Sequence, residues 1–392
     1  MPPRRAVAAR RSLVIAPLGV AVLFGVAACN SGAMSASGGA TDLSFVTITP
    51  DAQQVGVRPT TVVRVRATEG SVQSVRVVAT SGEAVAGAFS TDHKSWASRG
   101  PLQTATTYDV TVSATNSKHR GVTVSSVFWT LKPKHRLVAA VAPLGGETVG
   151  IGMPIAVYFS APVKERATVE RRFHVISSNN TTGAWHWYSA KEMHYRPPTY
   201  WPAGDHVSLS YDLRGLDAGD NTWGDQHRTI SFNIGPSHVS TVNAKAHTMQ
   251  VYDSGKLVQT YPVSTGRDKY PTTSGVHVVL NKNPLQVMDS ATVGIPRNSP
   301  DGYFEKVPWS VRISNSGEFV HDAPWSVHSQ GHVNVSHGCV NLSPTASKWF
   351  FDFSRRGDIV RVIGTPRRLQ QGNGYADWNL SWSEWIAGDP LA

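Results

Sequence analysis

A mainly β chain is predicted by short segments of alternating apolar and polar residues, by abundant turn formers, and by low charge. The alternation shows in Thr61–Arg66, Val75–Val78 and Tyr108–Val112, where period two marks half-buried strands. The 34 Gly and 24 Pro suit many tight turns. Charged residues make up 16%, against roughly 25% in an average globular protein. That balance excludes a disordered polyelectrolyte, a coiled coil and a long solvated helix. With 392 residues and about 150 per domain, two or three domains are expected, large enough to bury cores without disulfides or metals.

From residue 43 to about 131 the strands are separated by turn residues, with no amphipathic helical stretch between them. A second copy follows: Val55-Gly56-Val57 recurs as Val149-Gly150-Ile151, and the Val127/Trp129/Leu131/Pro133 spacing recurs as Ile230/Phe232/Ile234/Pro236. A drifting offset is what two related sandwiches with unequal loops produce. The expectation is two tandem immunoglobulin-like β-sandwiches, 43–132 and 133–236. Trp185, Trp187, Tyr200 and Trp201 are read as core or interdomain residues rather than sugar-stacking ones. The oxygen-rich loop with Asp217, Asp220 and Asn221 is a weak calcium candidate that lacks a full ligand spacing.

The first residues read as an export signal. Arg4, Arg5, Arg10 and Arg11 precede an uncharged run from Leu13 to Ala28. That run falls short of the about 20 residues of a membrane span and suits a signal peptide, 1–28. It ends Val26-Ala27-Ala28-Cys29, which resembles a bacterial lipobox and makes Cys29 the expected lipidation site. Residues 29–42, rich in Ser, Gly and Ala, read as a flexible tether. The expected location is the outer face of the cytoplasmic membrane, lipid-anchored. Without the four leader arginines the formal charge of +10 falls to +6. Export and the absence of Lys/Arg runs interleaved with aromatics argue against nucleic acid.

After Ser237 the texture changes. Thr248–Tyr261 reads as a hairpin turning at Asp253-Ser254-Gly255, and the segment ends near Gly364, so the third domain, 237–364, is also mostly β. In the C-terminal extension, 365–392, Trp378, Trp382 and Trp385 share one face of a short helix expected to dock on a neighbouring domain.

The chemistry centres on Cys339, the only cysteine besides Cys29. His321, His328, His332 and His337 lie within 18 residues of it. Imidazole near a thiol is what nucleophilic catalysis needs, because the base removes the proton or stabilises the thiolate. Gly338 frees the backbone beside the nucleophile, so that successive N–H groups can face a developing oxyanion. The histidine spacings match no compact zinc module. Spacing alone leaves the base open among the four histidines.

The run Ser336-His337-Gly338-Cys339-Val340-Asn341-Leu342 resembles the signature of YkuD-type L,D-transpeptidases. The His321–Val327 segment and the Asp377-Trp378-Asn379 tail with Trp382 and Trp385 resemble the actinobacterial members, which carry two immunoglobulin-like domains before the catalytic one. The resemblance implies a cysteine acyl-enzyme mechanism on peptidoglycan stem tetrapeptides, used as donor and acceptor, that releases D-Ala and makes 3→3 cross-links. It implies acylation by carbapenems and no cofactor. By motif position Cys339 would be the nucleophile, His321 the base and His337 the loop-ordering residue. The amides of His337, Gly338 and Cys339 would hold the oxyanion. Tyr303, Met288, Ser316, Gly317, Trp325 and Asn341 would line the substrate site.

Asp322 departs from the family's usual Ser after the base. Two outcomes follow: its backbone carbonyl orients the imidazole, or its carboxylate favours a thiolate–imidazolium pair. An L,D-carboxypeptidase using the same acyl-enzyme is the alternative chemistry, and a non-catalytic wall-binding lipoprotein is the alternative class.

Overall fold

The computed structural model describes residues 45–392. The export signal, the tether and Cys29 lie outside the described residues. Among the described residues no helix is long and apolar enough to cross a membrane.

Residues 46–129 form a sandwich of a four-stranded and a three-stranded sheet around a core that includes Val65, Trp96, Tyr108 and Phe128. Residues 139–234 form a second sandwich of two four-stranded sheets, with Trp185, Trp187, Tyr195 and Trp201 in its core. The repeat has a structural counterpart. Val57 bridges Thr130 in parallel in the first sandwich, and Val149 pairs Ile234 in parallel in the second. The aromatics of 185–201 thus serve packing, and Trp201 donates its indole N–H to the Met153 carbonyl at 2.8 Å.

The weak calcium candidate finds no support in the loop's contacts. Asp217 accepts from Arg58 at 3.0 Å, Asp220 pairs with Lys164 at 2.6 Å, and Asn221 Oδ1 accepts from Trp223 at 3.0 Å. Each oxygen donor already has a partner. Among the described residues no group of three His, Cys, Asp or Glu is arranged to hold a metal ion.

The third domain contains two sheets. The first uses β1 (His238–Asn243), β2 (Thr248–Asp253), β3 (Lys256–Pro262), β4 (Gly275–Val278) and β9 (Ile359–Ile363) in the order β3-β2-β1-β9-β4. The second uses β5 (Asn281–Asp289), β6 (Phe304–Arg312), β7 (Phe319–Asp322) and β8 (Val340–Leu342) in sequence order. The β2–β3 turn is the expected hairpin. Its two central residues, Ser254 and Gly255, have φ of +50° and +80°, the left-handed pair a tight hairpin requires. Helix α1 (Pro344–Phe353) starts from Ser343, whose hydroxyl accepts from Ala346 N–H, with Pro344 in the first turn. Phe350 of α1 is buried in the core with Val311, Val320 and Val340.

The second sandwich and the third domain share core residues, Val278 and Ile359 joining the sandwich cluster. Gly150 N–H donates to Arg356 O at 2.8 Å and Gly152 N–H to Gly357 O at 2.9 Å. A Cβ on Gly150 would meet the Asp358 backbone N at 2.3 Å, so the second copy of the repeated Val-Gly motif is a close backbone joint.

The tail docks as expected, with one difference. Trp378 sits in a 3₁₀ turn, Asp377–Asn379, and Ser381 then caps a separate helix, Trp382–Ile386. All three indoles still converge on Arg196 of the second sandwich, 4.4–5.5 Å from its guanidinium. Arg196 is 1% exposed, and it also donates to Leu380 O at 2.9 Å. Beside it, burial works against charge on His194. Asp377 at 2.7 Å outweighs that and lifts the imidazole to about 9. Asn379 covers the free edge of β4 by bonding both Val276 N–H and O at 2.8 Å.

Replacing Arg196 with Ala removes a stacked cation and two charge-assisted hydrogen bonds. The expected cost is about 3 kcal/mol. It reads as a lower thermal midpoint and faster proteolysis of residues after 365, and an unchanged midpoint would contradict the lock.

Candidate active site

β7 and β8 lie side by side in parallel, with His321 opposite Asn341 and Val320 opposite Val340. This register places Cys339, just before β8, beside Phe319 at the start of β7, and because alternate residues share a face, His321 lies on the same side of the sheet as the thiol. The loop is pinned to the segment 265–267 through Ser336. Ser336 N–H donates to Thr265 O and Arg267 N–H to Ser336 O, each at 3.0 Å. The Ser336 hydroxyl donates to Cys339 O at 2.6 Å. Gly338 has φ of +123°, a conformation side chains resist. A residue with a Cβ there would reshape the loop.

One expectation about the oxyanion donors is corrected. Gly338 N–H is spent on the Ser336 hydroxyl at 3.1 Å. Among the described residues, the N–H groups of His337 and Cys339 make no internal hydrogen bond. Gly338 therefore contributes the turn, and its two neighbours contribute the free donors.

The thiol stands where two cavities meet. The larger, of about 540 Å³, reaches Cys339 past Met288, Tyr303, Ser316 and Gly317. The smaller, of about 170 Å³, reaches it past His321, Trp325, Asn341 and Glu305. Met288, Tyr303 and His337 border both. All the substrate-lining residues expected from sequence thus surround the thiol. Asn341 is buried and donates its amide to Ser326 Oγ at 3.0 Å, which leaves its Oδ1 without a partner beside the smaller cavity. Trp325 is half-exposed and its ring lies 6.2 Å from that of His321.

The four histidines now separate. His321 and His337 border the cavities at Cys339. His328 is exposed, and His332 lines a separate surface depression with His247 and Arg267. His321 is buried and donates its Nδ1–H to the Asp322 backbone carbonyl at 2.6 Å. That bond fixes the tautomer and leaves Nε2 as an acceptor. Asp322 orients the base through its main chain. Its carboxylate makes no bond to His321, and Oδ1 has no partner.

Burial sets the protonation states. It pushes the Cys339 thiol up to about 12, with Phe319 N–H opposing and Glu318 adding to the rise. It pushes the His321 imidazole down to about 4. Desolvation thus favours a neutral thiol and a neutral imidazole, and the Asp322 carboxylate, which makes no bond to His321, is not placed to favour the thiolate–imidazolium outcome.

His337 is held by residues that sequence reasoning missed. Arg267 donates to its Nε2 at 2.8 Å, so its proton sits on Nδ1. Burial first, and the Arg267 charge second, hold its pKa below the usual value. Arg267 is itself paired to Asp301, which also accepts from Lys269 at 2.6 Å and Tyr270 at 3.0 Å. The rings of Tyr270 and Tyr303 lie 5.0 Å and 5.2 Å from that of His337. Some 70 residues separate Arg267 from His337, so no local motif announces the pair.

The catalytic domain model of the L,D-transpeptidases (YkuD) matches residues 237–362, and a bacterial Ig domain model matches 54–217. L,D-transpeptidase 2 of Mycobacterium tuberculosis is 35% identical over 395 residues, covering 98% of this chain and 96% of the relative. The chain belongs to the L,D-transpeptidase family. L,D-transpeptidase 5 of the same species is 31% identical, covering 88% of this chain and 77% of its own length. A solved LD transpeptidase in complex with imipenem superposes with a TM-score of 0.52 at 38% identity, covering 59% of this chain and all of that one.

Two outcomes are expected of this transpeptidase. The rate of thiol acylation should rise with pH through about 4, where His321 loses its proton, and show no limb near 6.5, the ordinary imidazole value. Asp322→Ser should leave that profile in place, and a new limb near neutrality in either protein would contradict it. In Arg267→Gln, the His337 titration followed by NMR should move upward, because one cation opposing its protonation is gone. An unmoved titration would show that Arg267 has no electrostatic hold on the ring.

Proposed function

We propose that this enzyme joins peptidoglycan stems by 3→3 cross-links through a Cys339 thioester, releasing D-Ala from a donor tetrapeptide. Cys339 Sγ attacks the carbonyl of the donor's third residue as His321 Nε2 takes the thiol proton. The oxyanion is held by the N–H groups of His337 and Cys339. Collapse breaks the C–N bond, and the imidazolium gives its proton to the departing D-Ala amine. The side-chain amine of a second stem's diamino acid then attacks the thioester and passes a proton to His321. The C–S bond breaks, and the thiolate recovers its proton from the imidazolium.

The observation that carries this reading is the meeting of two cavities at one thiol. A hydrolase needs a donor site and water, whereas cross-linking needs a second approach for an amine. The smaller cavity is bordered by two acceptors, His321 and Glu305, and this suits an amine. The relative bound to imipenem supports acylation of Cys339 by carbapenems. The lipobox-like Val26–Cys29 supports a lipid anchor at Cys29 on the outer face of the cytoplasmic membrane.

The test is mass spectrometry of the protein incubated with a disaccharide-tetrapeptide. The expected product is a dimer lacking one D-Ala, absent with Cys339→Ala. A tripeptide monomer as sole product would replace this reading with an L,D-carboxypeptidase.

A further inference from the structure

The larger cavity carries an unbalanced charge. Two of its acidic residues are already satisfied. Asp289 is paired to Arg297, and Glu318 is buried and accepts from Thr273 N–H at 2.8 Å and Thr273 Oγ1 at 2.6 Å. Among the described residues, the two arginines of that cavity, Arg312 and Arg367, form no ion pair and no side-chain hydrogen bond. Arg367 is exposed at the rim. Arg312 is half-buried at the end of β6, with its guanidinium 5.0 Å from the Phe319 ring centre. Stacking uses the face of a guanidinium and leaves its edge donors free, the fork that matches a carboxylate. Its Nε is buried without a partner, so the terminal N–H groups are the ones that would meet a ligand oxygen. The guanidinium is also near enough to be felt at the thiol, where its charge opposes the rise caused by burial.

A donor tetrapeptide has one anionic group fixed close to the reacting carbonyl. Its terminal carboxylate sits on the carbon attached to the scissile nitrogen. We propose that Arg312 is the subsite for that carboxylate, so that the enzyme selects stems with a free C-terminal D-amino acid and orients the scissile amide over Cys339. The proposal rests on the acyl-transfer reading above and adds the group by which the donor is chosen. In a carbapenem the ring carboxylate occupies the same position relative to the reacting nitrogen, so the subsite would hold both.

Arg312 also borders a polar cavity of about 160 Å³ with Tyr158 and Glu192 of the second sandwich. A role confined to that domain junction would show as lost stability without lost discrimination.

The experiment compares an N-acetylated tetrapeptide ending in D-Ala with the same peptide ending in D-alaninamide. Acylation of Cys339 is followed by intact mass on the full chain, with thermal midpoints recorded alongside. The wild-type enzyme should prefer the acid on the order of 10- to 100-fold, the range of a charge-assisted hydrogen-bonded pair. Arg312→Gln should bring the acid-to-amide ratio near one, and Arg312→Lys should retain part of it. Equal acylation of both peptides by the wild-type enzyme would overturn the subsite. So would an Arg312→Gln variant that slows both peptides by one factor and keeps the ratio. Acylation by neither peptide would contradict the acyl-transfer reading itself, a result distinct from equal acylation by both.

Discussion

The parallel register of β7 and β8 is the constraint on which the site depends. With His321 opposite Asn341, the base on one strand and the thiol two positions before Asn341 lie on the same sheet face and border the same cavity. The loop between Ser336 and Cys339 must then turn within three residues, which the left-handed Gly338 allows. Ser336 closes the turn by bonding Gly338 N–H and Cys339 O, leaving the flanking N–H groups free. Nucleophile, base and oxyanion donors thus follow from one strand pairing and one glycine.

Burial gives that geometry its chemistry. Desolvation raises the partly exposed thiol and lowers the buried imidazole, which favours the neutral form of each before substrate arrives. The charge needed for attack then appears only as the C–S bond forms, where the free N–H groups can meet it. The cationic surroundings are held apart from the base. Arg267 is occupied by Asp301 and His337, while Arg312 remains unpaired in the larger cavity. The shared core of the second sandwich and the catalytic domain, with the indoles around Arg196, keeps these elements in one unit.

The sequence made the architecture and the reacting residues legible because each had a local signal. Alternating strands, the repeated Val-Gly motif and the Ser336–Leu342 run are contiguous patterns. The choice of base needed the resemblance, since His328 and His332 are as near in sequence but not at the cavity. The oxyanion role expected for Gly338 N–H failed because a side chain, Ser336, took that donor. The ion pairs of Asp217 with Arg58 and of Asp220 with Lys164 went unread because their partners come from distant segments. Arg267, Asp301 and Arg312 were invisible for the same reason: their importance is set by long-range placement, which no spacing encodes.

The central claim is that the resting thiol is protonated and waits for substrate to move its proton. Ultraviolet absorbance of the thiolate, taken as the difference between wild type and Cys339→Ser across pH, measures this directly. The account requires no thiolate step below about pH 9, since burial holds the thiol well above its usual range. A step near or below neutrality would mean a preformed thiolate–imidazolium pair and would contradict the account.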